Sequence, residues 1–307
     1  MAGAKREVRT TCAPWPLSVK GVRQAGWKAW RISAAVAEAG DMARGGNSGP
    51  RDQAGRRGLT VRVKTAKGRK LASTRWLQRQ LNDPYVEEAK RQGYRSRATF
   101  KLLEIDDKYH LLKPGGVVVD LGAAPGGWSQ VAVARVKADT GEGQSDEKAG
   151  EKEGAKAGGK KARKGRVVAA DLNEIEPVAG VRFMQVDVTD AEAGEMIRDA
   201  LGGAAVDVVL SDMAASSTGH RQTDHLRVIA LAESALDIAE DALKPGGAYL
   251  AKMLQGGATG DLLTRLRQNF AKVSHVKPKA SRQDSAEVYV LAMGYRGPGS
   301  QGSQDER

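Results

Sequence analysis

Four charged residues, Lys101, Asp212, Lys252 and Glu287, carry the chemistry that this sequence could perform. Asp212 closes the apolar run VVLSD, and Lys252 lies near the end of AYLAKM, so each emerges where a buried strand stops. In an α/β sheet such ends converge on one crevice, which is the usual place for a ligand. A lysine among acids there is either a structural ion pair or a base tuned by its neighbours, because an unpaired buried charge is costly. Position alone leaves both readings open.

A second chemical feature precedes these charges. VVVDLGAAPGGWSQ, residues 117–130, joins an apolar run to a glycine-rich turn and then to a helix start. Val117, Val118, Val119 and Leu121 read as a parallel core strand, with the carboxylate of Asp120 near its C-terminal end. Gly122, Gly126 and Gly127 remove side chains that would keep a ligand from the backbone. The loop lacks the G-x-G-x-x-G spacing that brings a pyrophosphate to a helix N-terminus. With an acid at the strand end and Pro125 stiffening the turn, it suits a nucleoside without phosphate, such as S-adenosylmethionine. A Rossmann-like turn without that ligand is the plainer alternative.

The elements that must position these residues alternate along the chain. Strands are predicted at 117–121, 167–170, 182–186, 206–211, 248–253, 271–275 and 288–293. Helices are predicted at 85–92, 96–110, 128–136, 191–201, 223–243 and 260–269, with Ser73 or Thr74 placed to cap an earlier one. This rhythm predicts an α/β fold with a mostly parallel seven-stranded sheet and helices on both faces. Residues 137–166 are low-complexity, almost without large apolar side chains, and are expected to be a solvated loop insert. Discounting that insert brings Asp171 to the distance at which an acid binds ribose hydroxyls in nucleoside-binding α/β units.

Three parts follow: a basic extension over 1–58, expected to be disordered apart from a possible helix at 24–39, a catalytic domain over 59–296, and a flexible tail over 297–307. Translation could equally begin at Met42, with residues 1–41 a transit peptide or an over-long start. The net charge of +12 is uneven: residues 1–80 hold 18 Lys and Arg against 4 Asp and Glu, leaving 31 against 33 elsewhere. A polyanionic partner engaged through that quarter follows, and a solvated basic tail is the alternative. Cys12 is the lone cysteine, and the four histidines show no metal-ligand spacing, so no disulfide or metal is expected. No apolar run approaches the roughly 18 residues of a membrane span. A cytoplasmic monomer is expected.

The stretches RSRATFKLLEIDDKY, LKPGGVVVDLGAAPGGWSQVA, SDMA, AKMLQGG and ASRQDSAEVYVLA, in that order, resemble the RrmJ/FtsJ (RlmE) family of 23S rRNA uridine 2′-O-methyltransferases. The resemblance runs from about Arg62 to Tyr295. It implies a Rossmann-like S-adenosylmethionine-dependent methyltransferase acting on a uridine ribose in the A-loop of the large ribosomal subunit, during late 50S assembly. It also implies a catalytic set of Lys252, Lys101, Asp212 and Glu287. The implied donor site is Gly126, Trp128, Asp171, Asp187 and Asp212. Asp171 would accept from the ribose hydroxyls and Asp187 from the adenine amino group, although Asp187 and Asp190 also suit a cap for the next helix.

A ribose 2′-hydroxyl is a feeble nucleophile, so transfer needs in-line positioning and loss of a proton. Lys252 either accepts that proton or acts as an orienting charge. The family often carries Met-Ala-Pro-Asn where this chain has Met213-Ala214-Ala215-Ser216, which touches substrate positioning rather than Asp212. The basic segment 56–79 would grip phosphates. A non-catalytic rRNA-binding assembly factor and a haemolysin-like or other RNA ribose methyltransferase of this fold are the alternatives.

Overall fold

The structure, a computed structural model, describes residues 63, 71–140, 163–256, 260–282 and 285–297. The extension over 1–58 with its expected helix, most of the 137–166 insert, and the tail from 298 lie outside the described residues. So do both candidate starts, Met1 and Met42.

Among the described residues three helices precede the sheet: α1 (Leu71–Leu81), α2 (Pro84–Arg91) and α3 (Thr99–Tyr109). Ser73 and Thr74 lie inside α1 rather than capping it. The start of α2 is set locally, with Pro84 at its first position and the Asp83 carboxylate accepting from Tyr85 N at 3.1 Å. His110, in the left-handed conformation, ends α3.

The sheet follows as β1 (Val117–Leu121), β2 (Arg166–Asp171), β3 (Val181–Gln185), β4 (Val206–Ser211), β5 (Leu243–Leu254), β6 (Phe270–Val276) and β7 (Glu287–Tyr295). Helices α4 (Gly127–Val136), α5 (Ala193–Leu201), α6 (Arg221–Ala242) and α7 (Gly260–Asn269) lie between them. The order across the sheet is β3-β2-β1-β4-β5-β7-β6. Four pairings are parallel, while β7 pairs antiparallel with both β5 and β6. The reversal has a simple cause: no helix lies between β6 and β7 among the described residues, and β7 returns beside its predecessor instead of crossing over.

The sheet is therefore mostly parallel, as expected, and the elements predicted within the described residues appear with small shifts at their ends. The largest shift is β5, which starts five residues early because Leu243 pairs with Val206 before an irregularity through Lys244–Gly247. All five residues of β1 are buried, consistent with a central strand covered on both sides.

Alternation along the strands feeds two cores. Val117, Val119 and Leu121 pack with Ile197, Leu236, Tyr249, Met253 and Leu266 on the face covered by α5, α6 and α7. Val118, Leu210, Leu250, Tyr289 and Leu291 pack with Leu102, Ile105, Trp128 and Val131 beneath α3 and α4. The 137–166 segment departs and returns at one place, since Ala138 and Gly165 form an isolated parallel bridge just before β2.

Candidate active site

The antiparallel run of β7 brings the charged set together. Parallel strands β4 and β5 deliver Asp212 and Lys252 at their carboxyl ends, whereas β7 begins there, with Glu287 opposite Leu254. Helix α3 supplies Lys101 from the face covered by α3 and α4. All four side chains are mostly buried, the most exposed being Glu287 at 18%.

They assemble as two ion pairs. Lys252 Nζ lies 2.8 Å from Asp212 Oδ1 and donates also to the Asp212 main-chain carbonyl at 2.8 Å. Lys101 Nζ pairs with Glu287 Oε1. Between them stands Tyr289, whose hydroxyl lies 2.6 Å from Asp212 Oδ1 and 2.9 Å from Glu287 Oε1. Its single proton is offered to one carboxylate while the oxygen stays within reach of both.

Burial pushes the Tyr289 phenol well above its ordinary value, and the charges of Asp212 and Glu287 push the same way. It is therefore a donor at any physiological pH. Burial alone would raise Glu287, but the charges of Lys101 and Lys252, with hydrogen bonds from Lys101 and Tyr289, carry it below the usual carboxylate range. Glu287 is thus an anion, suited to holding Lys101 rather than to giving up a proton.

Sequence reasoning missed Tyr289. Its signal was the two-residue spacing from Glu287, which puts both side chains on one face of the strand. The Tyr289 ring also packs against Trp128, with centroids 5.6 Å apart, and Lys101 Nζ sits 5.8 Å from its centroid.

Of the residues expected to hold a methyl donor, Gly126, Trp128 and Asp171 sit around the β1–α4 loop, and Asp212 N donates to Leu121 O just before it. Gly126 caps α4 with φ +104°, a conformation that favours glycine. The Trp128 indole is buried and donates to Ala98 O at 2.8 Å, so its ring belongs to the core. Asp171, at the end of β2, accepts from Ala124 N at 2.9 Å through one oxygen and from Asn173 N at 2.7 Å through the other. It shapes the glycine loop directly.

Asp187 accepts from Thr189 N at 2.9 Å and Thr189 Oγ1 at 2.7 Å, which lowers its carboxyl below the ordinary value. It closes a local turn, and neither it nor Asp190 is the N-cap of α5, a position that Glu192 occupies. No hydrogen bond joins Asp187 to the Lys101–Tyr289 group among the described residues.

Asp120 differs from its sequence reading. Its carboxyl does not emerge at the strand end but is fully buried beneath α4, where Ser129 Oγ donates to it at 2.6 Å. Its other oxygen has no partner among the described residues. Burial, the Ser129 hydrogen bond opposing it, and the charges of Asp212 and Asp171 adding to it, set its pKa at about 7.

The strand order, the glycine loop after β1 and the charges at the carboxyl edge define a Rossmann-like methyltransferase. The chain belongs to the FtsJ-like methyltransferase family, whose model matches residues 94–295. It is similar to the Ribosomal RNA large subunit methyltransferase E of Parvibaculum lavamentivorans, 56% identical over 82% of this chain and 93% of that one. The protein of that name from Ruegeria pomeroyi is 56% identical over 79% of this chain and 97% of its own. A solved structure described as a ribosomal RNA methyltransferase from Plasmodium falciparum is 28% identical, with a TM-score of 0.53, over 66% of this chain and all of that one.

Among the described residues no helix is long and apolar enough to cross a membrane.

Proposed function

We propose that the protein transfers the methyl group of S-adenosylmethionine to the 2′-hydroxyl of a uridine ribose in 23S ribosomal RNA. The A-loop of the large subunit is the site, and late 50S assembly the occasion. The observation that carries this reading is the Lys252–Asp212 pair at 2.8 Å, set at the carboxyl edge beside the Lys101–Glu287 pair. The names of the relatives support ribosomal RNA as acceptor. The basic N-terminal quarter supports a polyanionic partner.

The residues present fit a cationic nucleoside donor. Asp171 closes β2 and Asp212 follows β4, on either side of β1 and its loop, so their carboxylates supply the acceptors and negative charge that a sulfonium nucleoside calls for. Gly126 and the main chain of Trp128, with Asp171, Asp187 and Asp212, would hold the donor. As an early residue of α4, Trp128 has an N–H without an intrahelical acceptor. When bound, S-adenosylmethionine supplies an electrophilic methyl group.

The chain's own residues do the rest. Lys252 and Asp212 orient the ribose hydroxyl, and Lys101, Glu287 and Tyr289 hold that pair in place. As it stands, Lys252 donates both of its hydrogen bonds to oxygens of Asp212, the posture of an orienting charge. To accept the ribose proton it must first release one of its own.

Ribose methylation mapped in ribosomal RNA from a strain lacking the protein tests the whole reading. Loss of methyl from one A-loop uridine, restored by purified protein with S-adenosylmethionine and unmethylated subunits, is expected. An A-loop uridine that stays methylated overturns the assignment of target.

A further inference from the structure

We infer that Arg95 is a clasp across the methyl-donor crevice, a positioning residue that governs how long the donor is retained. Arg95 stands in the turn between α2 and α3, half-buried. Its Nη1 donates to Pro125 O at 3.3 Å and to Glu176 O at 2.5 Å, and its Nη2 donates to Pro177 O at 2.7 Å. Pro125 belongs to the glycine loop. Glu176 and Pro177 belong to the segment that leads from Asp171 towards β3. One guanidinium therefore ties together the two main-chain walls on either side of Asp171.

The other end of the clasp is anchored. Arg95 N donates to Gln130 Oε1 at 2.9 Å, and Gln130 Nε2 donates to Gly93 O at 3.1 Å. Gln130 lies on α4, so the turn over 93–95 is fastened to the helix that the glycine loop starts. The guanidinium thus bridges from a fixed base to two loops that lack regular structure.

Close packing against the loop supports the same role. A Cβ on Gly126 would lie 2.9 Å from Arg95 Nη1, 3.2 Å from Arg95 Cδ and 3.3 Å from Val178 Cγ2. In this structure the space above Gly126 is filled by the Arg95 side chain and by Val178, part of the segment that the clasp holds. The missing side chain at Gly126 admits the clasp as well as permitting the backbone conformation.

The chemistry selects arginine. Its planar fork presents several N–H groups at fixed angles, and three carbonyls are met at once. Lysine, with one nitrogen on a flexible stem, could not span them. All three acceptors are main-chain oxygens, so no carboxylate titration loosens the arrangement.

Walls held together before the ligand arrives reduce the ordering cost of binding, and such effects fall mainly on dissociation. Arg95 touches none of Lys101, Asp212, Lys252 or Glu287 through a hydrogen bond among the described residues, so the transfer step itself should be spared. This functional step rests on the donor site proposed above, whereas the clasp rests on the hydrogen bonds alone.

Arg95→Lys and Arg95→Ala separate charge from geometry, with Arg91→Ala as a control because Arg91 is exposed and, among the described residues, pairs only with Glu88 on its own helix. Without donor, amide hydrogen exchange over 122–127 and 172–180 should quicken in both Arg95 variants and not in the control. Unchanged exchange there overturns the clasp whatever the protein binds. With S-adenosylmethionine, stopped-flow and calorimetry should give a dissociation rate constant and Kd raised about tenfold in both variants, with kcat at saturating donor and the melting temperature near those of the parent.

Equal dissociation rates in parent and Arg95→Ala overturn the retention role, as does an Arg95→Lys protein that behaves as the parent. A melting temperature that falls in step with affinity also overturns it, by reducing Arg95 to a general structural residue. A parent protein that binds no S-adenosylmethionine overturns the donor reading instead, which the exchange experiment keeps distinct.

Discussion

The Tyr289 hydroxyl lies 2.6 Å from Asp212 Oδ1 across 77 residues of sequence, and through it two ion pairs on three strands and a helix become one charged unit. Without this bridge, Lys252–Asp212 and Lys101–Glu287 would share no hydrogen bond among the described residues. With it, a shift of Glu287 is felt at Asp212.

Tyr289→Phe tests that coupling. The ring stays to pack on Trp128, and only the hydrogen bond is lost. A hydrogen bond to a charged group contributes about 1.5–3 kcal/mol, so a kcat lowered roughly tenfold, with donor affinity little changed, is expected. Single-turnover methyl transfer measures it, and a rate equal to that of the parent would show that the two pairs act independently.

Lys252→Ala removes a side chain that reaches both Oδ1 and the main-chain carbonyl of Asp212. Turnover should fall by at least about a hundredfold, while the Kd for S-adenosylmethionine stays within a factor of about two. Calorimetry beside a radiolabel assay reads both quantities. Near-normal turnover would refute the catalytic assignment.

Asp212 and Lys252 were legible because each closes an apolar run, whereas Lys101, inside a helix, and Glu287, at the start of a strand, came from the family resemblance. The central place of β1 was legible because Val117, Val118, Val119 and Leu121 match a strand covered on both faces, although the burial of Asp120 among them was not. Tyr289 was hidden because tyrosine inside EVYVLA reads equally well as an apolar strand residue. The reversal of β7 was hidden because strand direction depends on the connection, and the segment over 277–286 carries no periodic signal. Arg95 was hidden because its partners are carbonyl oxygens, which every residue possesses. Asp120 was misjudged because an acid at the end of a strand can turn under the following helix as readily as into the crevice.

Gly122→Ala should damage the loop from its other side. Gly122 has φ +74°, and a Cβ there would lie 2.5 Å from Met213 Cγ and 2.9 Å from Met213 Cα. Backbone atoms cannot yield cheaply, so a loss of roughly 1–3 kcal/mol is expected from strain and overpacking together. Since Met213 follows Asp212, and Asp212 N donates to Leu121 O at 3.2 Å, the displacement should lower turnover as well. Urea unfolding and initial rates measure the two effects, and unchanged values in both would mean that the loop absorbs the methyl group freely.

Asp120→Asn should change how stability depends on pH, and the sign follows from its raised pKa. Burial lifts the folded-state value to about 7 from 3.8 in the ordinary case. Below 3.8 both folded and unfolded chains hold the proton. Between the two values the unfolded chain ionises and the folded one does not, so this group's contribution to stability falls as pH rises and is fully lost above about 7. The span corresponds to at most about 4 kcal/mol. Asparagine does not titrate, so the parent's stability minus the variant's should shrink between pH 5 and pH 8. Glu287 acts in the opposite sense and at lower pH, because its depressed pKa supports the fold above the ordinary carboxylate range and withdraws that support on acidification. It is common to both proteins and cancels in the difference. Urea midpoints at the two pH values decide the matter: parallel curves would mean that Asp120 is ionised throughout, and that the buried carboxyl is balanced by a charge beyond Ser129.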